Sequence, residues 1–293
     1  MNLSAITVSF PLDEETFEEL QNLCKVAEID GHVYNQVMNL PVARNYDMRG
    51  FYVLVYDDEK NELVGAGTAI DLMGLNTYEW SILVAPMYRQ LGIGSAVYHV
   101  LKDGMAARGS EGELALAIEG SHFGNEFLQK LGYLYSFSES TLEVKAEVLE
   151  QQGPVTLRPF MQKDTEALVV IFSEAFGDMR EESLELIDFN TTTEGLVMWT
   201  AEIGDEVVGT VTTRKEGEVE WITAFAVAPN KQGQGIGTQI LNLVKDYAIR
   251  QGEKTILLDV EIENAGALRV YEKAGFMKST QIDYYIYVKE QKR

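Results

Sequence analysis

A segment of 26 residues occurs twice in this chain of 293. VAPMYRQLGIGSAVYHVLKDGMAARG starts at Val84, and VAPNKQGQGIGTQILNLVKDYAIRQG starts at Val227, 143 positions later and with no gap. Val-Ala-Pro, Gly-Ile-Gly, Lys-Asp and the closing glycine all coincide. The same offset carries Lys130 and Gly132 onto Lys273 and Gly275. Upstream, Gly65 of NELVGAGT matches Gly209 of DEVVGTVT with the offset shifted by one, as a loop insertion would do. A period this long excludes a short-repeat solenoid and indicates one domain occurring twice. Two domains of ~150 residues also suit the length. Gly153-Pro154, after Gln151-Gln152, reads as a break, so the expected domains are residues 1–150 and 154–293.

Each copy has the same order of elements, and the second is the clearer. Strands are expected at Val155–Arg158, Val197–Ile203, Glu206–Arg214, Glu218–Val227, Thr255–Val260 and Gln281–Val288. Helical spacing covers Lys163–Phe176, Glu181–Phe189, the stretch after the Gly-rich turn to about Arg250, and Gly266–Ala274. Gly204-Asp205 between two alternating runs signals a hairpin. In the first copy TLEVKAEVL is the expected last strand. Hairpins come early and a βαβ unit late. The predicted class is α/β, with a mixed, mostly antiparallel sheet and helices on both faces.

Charge narrows the partners. Twenty-four basic against 46 acidic side chains leave −22. Such a surface repels phosphate backbones, so nucleic acid is an unsuitable partner. It attracts cations such as a protonated amine, although the same charge also serves solubility alone. No apolar run approaches the ~20 residues that cross a bilayer, and MNLSAITVSFPLDEET lacks the pattern of a secretory signal. A cytoplasmic location is the expectation. The lone Cys24 lies in a helical run and reads as core. His32, His99 and His122 share no metal-ligand spacing, and no metal is expected.

The segment VAPNKQGQGIGTQIL joins a strand end, a glycine-rich turn and a helix start. Glycine permits positive φ and close ligand approach, and free N–H groups at a helix start bind anions. A phosphate or pyrophosphate therefore suits Gly233–Thr238. A P-loop needs Gly-Lys-Ser/Thr, but Gly237 is followed by Thr238-Gln239. The dinucleotide fingerprint G-x-G-x-x-G fails at Ile240, and in the first copy at Val97. Gln232-Gly233-Gln234-Gly235-Ile236-Gly237 instead resembles the Gln/Arg-x-x-Gly-x-Gly/Ala signature of the GNAT superfamily of N-acetyltransferases. Arg89-Gln90-Leu91-Gly92-Ile93-Gly94 resembles it again. Asn264 through Tyr271 to Gly275-Phe276 is similar to the family's second segment. The resemblance extends over the chain once per half.

It implies two tandem GNAT-like acyltransferase domains and acetyl-CoA as acyl donor. Phe225, Ala226 and Val227, on a strand splayed from its neighbour, would pair with the pantetheine arm. The amides of Gln232, Gly233, Gln234, Gly235, Ile236, Gly237 and Thr238 would hold the pyrophosphate, and Asn264 the CoA arm. Tyr271 would protonate the departing thiolate. Glu220 is the candidate base, although the family's glutamate falls one residue beyond, at Trp221; Asp259 and Glu261 are rivals, and so is a water. In the first copy Val84, Arg89, Gln90, Leu91, Gly92, Ile93, Gly94 and Ser95 form a possible second cofactor site. There Tyr271, Asn264, Asp259 and Glu261 become Leu128, Ser121, Leu116 and Ile118, so that copy is expected to bind or to scaffold rather than to catalyse. The acceptor would be a primary amine of a small molecule or peptide, contacted from Gly31–Met48 and Asp178–Asn190. The alternative is a non-catalytic acyl-CoA sensor or interaction module. Oligomeric state is not encoded in these patterns.

Overall fold

The computed structural model describes residues 2–28, 33–72, 74–148 and 153–287. Gly31, His32, Leu149, Gln151, Gln152 and Val288 of the sequence expectations lie outside the described residues. The first repeat runs β1 (Leu3–Ser9), α1 (Glu14–Ala27), β2 (Arg49–Asp57), β3 (Glu62–Asp71), β4 (Thr77–Val84), α2 (Ile93–Ala107), β5 (Gly112–Ile118), α3 (His122–Lys130) and β6 (Tyr133–Lys145). The second runs β7 (Thr156–Pro159), α4 (Thr165–Phe176), α5 (Arg180–Thr192), β8 (Leu196–Ile203), β9 (Glu206–Glu216), β10 (Val219–Val227), α6 (Ile236–Gln251), β11 (Thr255–Glu261), α7 (Ala265–Lys273) and β12 (Met277–Tyr287).

Contacts divide the chain into two compact units, Met1–Glu139 with Thr280–Arg293, and Ser140–Ser279. These divisions fall inside β6 and β12 rather than at residues 150–154. In the first unit the strand order is β1-β2-β3-β4-β5-β12, followed by residues 133–139 of β6. The last strand of the second repeat thus pairs antiparallel with β5, from Ile282 opposite Ile118 to Ile286 opposite Leu114. In the second unit residues 140–145 of β6 lie beside β11, and β10, β9, β8 and β7 follow. β4 with β5 and β10 with β11 pair parallel, while β1–β2, β2–β3, β3–β4, β5–β12, β7–β8, β8–β9 and β9–β10 pair antiparallel, so the mixed, mostly antiparallel sheet expected from the sequence is present. Two strands differ in extent. β6 begins eight residues before the expected TLEVKAEVL and stops at Lys145, because the alternation of YSFSES already has strand period. β12 begins at Met277 rather than Gln281.

Each unit is built on apolar periodicity. In α6 the residues Ile236, Ile240, Leu241, Val244 and Ala248 are buried at helical spacing. They pack on Ile222, Ile256 and Leu258 of β10 and β11. The opposite face of that sheet carries Leu168 and Phe172 of α4, Ile187 of α5, and Ala226 of β10. In the first unit Leu20 and Cys24 of α1 join Met38, Tyr52, Trp80, Leu101 and Met105 in one core. Burial pushes the Cys24 thiol up to about 12, so it stays protonated and packs as a small hydrophobe.

Candidate active site

In the second unit β10 and β11 pair only as far as Ile222 with Leu258, while β10 continues to Val227 and β11 to Glu261. The two strands form a fork. Its apex is followed by a one-residue bulge on β10, where the register against β9 shifts between Thr223 and Ala226. Ala224 sits there at φ 45°, a left-handed conformation costly for a residue with Cβ. Past the fork, Phe225, Ala226 and Val227 have no strand partner on the β11 side.

The turn follows directly. Gln232 Nε2 donates to the Val227 carbonyl at 3.1 Å and folds the chain back. Gly235 takes φ 77° as the residue before α6, and no side chain caps the helix. The N–H groups of Ile236, Gly237 and Thr238 precede the first intrahelical bond, from Gln239 N to the Gly235 carbonyl at 3.1 Å. Gln232 to Gly235 are exposed, so an anion can approach the unbonded amides at this helix start. A Cβ on Gly237 would come within 2.9 Å of Val270, which explains a glycine inside the helix.

Tyr271 of α7 is buried against Phe225 and Phe276, with ring centroids 5.8 and 5.9 Å away. Burial pushes its phenol up to about 12. Its hydroxyl makes no hydrogen bond among the described residues. Asn264 caps α7, its Oδ1 accepting from Ala267 N at 3.0 Å, which leaves Nδ2 as its donor. Glu220 is not brought to this group. It shares the α6 face with Ile222 and is buried among Thr213, Lys215, Tyr247 and Glu253, where desolvation raises its carboxyl. Asp259 is on the other face of the sheet, one residue beyond the apex of the fork, and accepts from Thr141 Oγ1 at 2.6 Å. Desolvation raises its carboxyl, against the lowering by that bond. Glu261 is exposed further along the same arm.

The first unit repeats the design with differences. β4 and β5 pair to Trp80 and Ala115, then separate. β4 has no bulge, because its register with β3 runs unbroken from Gly65 opposite Val84 to Ile70 opposite Glu79. Arg89 Nε donates to the Val84 carbonyl at 3.0 Å, as Gln232 does in the other copy. Gln90 has φ 63° where the second copy has Gly233, and Gly92 has φ 86°. A cavity of about 620 Å³ opens here, lined by Val84, Arg89, Gln90, Gly92, Gly94 and Ser95 with Tyr34, Phe127 and Lys130. Leu91 and Ile93 instead line a smaller apolar groove beside Val97 and Val100. Leu128 is buried where the second copy has Tyr271. Ser121 caps α3, accepting from Gly124 N at 3.3 Å. His122 sits at the cavity with Glu126 at 3.4 Å.

Glu79 escaped the sequence reading. At the fixed offset it has no acidic counterpart near the fork. Strand register, however, puts Glu79 opposite Ile70 and Trp221 opposite Arg214, which makes those two positions equivalent. The available signal was the Glu-Trp doublet, present in both copies but two residues nearer Val-Ala-Pro in the first.

Among the described residues no group of three His, Cys, Asp or Glu could hold a metal, and no helix is long and apolar enough to cross a membrane. A model of the acetyltransferase (GNAT) family matches residues 14–133 and again 165–276. A probable N-acetyltransferase, camello, of Xenopus laevis is 32% identical over 103 residues, 34% of this chain and 47% of that protein. The chain therefore spans less than half of that relative. A mycothiol acetyltransferase of Renibacterium salmoninarum is 26% identical over 294 residues, covering 88% of this chain and 84% of that one. Among solved structures, a GCN5-related N-acetyltransferase from Sphaerobacter thermophilus superposes with TM-score 0.72 at 17% identity, over 95% and 94% of the two chains. A tandem GNAT protein from the clavulanic acid biosynthesis pathway superposes with TM-score 0.65 at 15% identity, over 97% and 98%.

Proposed function

Because this chain belongs to the GNAT acetyltransferase family, we propose that its second unit moves the acetyl group of acetyl-CoA directly onto a primary amine of a small molecule or peptide. One observation carries the reading. Tyr271, a protonated phenol without an internal hydrogen bond, packs on Phe225 where β10 leaves β11.

The amides of Gln232 to Thr238 hold the diphosphate, and the free edge of Phe225 to Val227 pairs with the pantetheine arm. Asn264 Nδ2 donates to that arm. An alkyl ammonium has a pKa near ~10.4 and must lose a proton before it attacks. Asp259 takes it, since Glu220 is held in the Lys215–Glu253 cluster on the opposite face. The neutral nitrogen attacks the acetyl carbon, the C–S bond breaks, and Tyr271 gives its proton to the departing sulfur. A phenol raised to about 12 keeps its proton until the sulfur develops charge. The chain's acidity, −22 overall, draws a cationic acceptor.

Thiol release from acetyl-CoA with a panel of amines, mycothiol-type acceptors included, tests this. Turnover that falls in Tyr271→Phe supports it. Undiminished turnover in that variant removes Tyr271 from the mechanism. Acetyl-CoA uptake without turnover on any amine makes the chain a binding module instead.

A further inference from the structure

We propose that Trp221 sets the acceptor class of the second unit: its indole seats the aromatic body of an arylalkylamine whose nitrogen lies at Asp259. This rests on the reading of that unit as the acetyl-transfer centre.

Trp221 is the tryptophan that the fold does not use. Trp80 is buried and packs on Tyr98 and on Tyr133, with ring centroids 5.4 Å away in both pairs. Trp199 packs on Tyr247 at 4.8 Å and donates its Nε1 hydrogen to Thr213 Oγ1 at 3.0 Å. Trp221 is half-buried and joins neither apolar cluster of the second unit. Its side chain makes no hydrogen bond, ring contact or cation contact among the described residues. The strand does not demand an indole there, because the equivalent register position in the first unit carries Glu79. An indole half in water without an internal partner adds little to folding, and tryptophan is enriched where a surface binds.

Strand register places this side chain. Ile222 and Leu258 form the apex of the fork and pack under α6. Alternation then turns Trp221 of β10, and Leu257 and Asp259 of β11, to the opposite face. Trp221 lies beside Leu257, and Asp259 is two residues further along β11. At ~4.8 Å between strands and ~3.3 Å per residue, the Cα atoms of Trp221 and Asp259 are about 8 Å apart. Side chains and a small ligand bridge such a diagonal. A donor lying along Phe225–Val227 brings its thioester to the apex, and Trp221 is the residue before that apex.

Charge decides what the indole takes. A tryptophan face attracts cations as well as rings, so a diamine could lay its second ammonium there. Arg214 opposes this. It stands directly opposite Trp221 on β9, with Leu196 opposite it in turn on β8. Its guanidinium is paired with Glu216, so it repels a second ammonium and leaves that carboxylate already engaged. A neutral ring instead meets the indole, Leu257 and the apolar stem of Arg214. The two ends of the site thus select an ammonium and an aromatic ring joined by a short alkyl chain.

The test follows thiol release from acetyl-CoA by the full chain. The acceptors are phenylalkylamines of increasing chain length, linear alkylamines of equal carbon number, and linear diamines. Phenylalkylamines are expected to exceed both other classes about 10-fold in kcat/KM, the scale on which an apolar pocket discriminates. Trp221→Ala is expected to raise their KM about 10- to 100-fold with kcat within a few-fold, so that the preference for the ring disappears. Trp221→Phe should keep most of that preference, and Trp221→Glu, which copies the first unit, should turn it towards diamines. Calorimetric uptake of acetyl-CoA shows that each variant still folds its donor site. Quenching of tryptophan emission by a phenylalkylamine, lost in Trp221→Phe, reports contact with the indole itself. This second readout decides the matter if Trp221→Ala does not fold, and quenching that persists in Trp221→Phe overturns the proposal. So does a ring that gives no advantage in the unaltered chain, or a Trp221→Ala chain slowed equally with every amine; the parent reading survives all three results. If the unaltered chain acetylates no amine, the parent reading falls and this proposal with it.

Discussion

Beside each fork lies a carboxylate, on the face away from α2 in the first unit and away from α6 in the second, but on different strands. In the second unit it is Asp259, one residue past the apex on β11, where the first unit has Leu116. In the first unit it is Glu79, one residue before the apex on β4, where the second has Trp221. The helix after each fork also differs: Tyr271 is present in one and Leu128 in the other. A duplicated fold can therefore carry its carboxylate on either of two neighbouring strands. Counted at a fixed offset such a change reads as loss, and in the folded sheet it reads as relocation.

The broadest way to break this comparison is to stop each turn separately. Gly235 and Gly92 hold left-handed φ with open space where a side chain would begin. Aspartate tolerates that conformation better than most residues and would set a carboxylate before the helix-start amides. Gly235→Asp is expected to cost its own unit roughly 100-fold or more in acetyl-CoA affinity, about 2.7 kcal/mol. Calorimetric uptake should fall from two molecules per chain to one, and Gly92→Asp should do the same at the other fork. Two sites retained in either variant would mean that the diphosphate is not held at these turns.

Next in size is the phenol. Tyr271→Phe is expected to slow second-unit turnover by about 10- to 100-fold, the low end for general acids, because a thiol of pKa ~8.5 already leaves well. With its proton held up to about 12, Tyr271 should give no falling limb in the pH–rate profile below pH 10. A limb near pH 8 in the wild-type chain, absent from the variant, would show that Tyr271 ionises far lower and would break the assignment.

What the sequence made readable follows from what each feature depends on. The turns were readable because positive φ needs glycine and a helix start needs free amides, both local properties of Gly233 to Thr238. The element order was readable from periodicity. Glu79 was not, because chain length between matched glycines hides two opposing changes. The hairpin from β3 to β4 is two residues longer than that from β9 to β10, while β10 carries one bulged residue. Their sum is the one-residue shift seen between Gly65 and Gly209, which reads as a single loop insertion. The place of β12 beside β5 was hidden for a different reason. Both repeats end their βαβ units with an alternating strand, and nothing local to Gln281–Tyr287 distinguishes which parallel pair it extends.

A smaller effect separates the two carboxylates by stability. In the folded first unit Glu79 titrates near 7, above the usual glutamate value of about 4.3. The native state therefore binds this proton more tightly than the unfolded chain does. Below pH 4 both states are protonated and nothing is lost. As pH rises from there through 7 the native state alone bears a disfavoured charge, and stability falls. Glu79→Gln removes that charge, so it should match the wild type at pH 4 and exceed it by about 1 kcal/mol at pH 8 after allowance for solvent screening. Melting curves at the two pH values check this. A variant less stable at pH 8 would mean that the carboxylate is held by a favourable contact.

The finest distinction lies in the staple that closes each turn. Arg89 Nε and Gln232 Nε2 make the same bond to the carbonyls of Val84 and Val227, at 3.0 and 3.1 Å. Their geometry is interchangeable, but only arginine adds a cation beside the anion site. Gln232→Arg should keep the turn and strengthen acetyl-CoA binding at the second fork by no more than about three-fold, because an exposed charge gains little in water. Salt should erase the gain, since the Debye length shrinks to about 3 Å at 1 M. Titrations of the variant and the wild type at 0.05 and 1 M salt separate the outcomes. A gain that survives high salt would mean that the guanidinium forms a close, desolvated pair with a phosphate. The first fork, which already carries Arg89, would then grip its donor more tightly than the second.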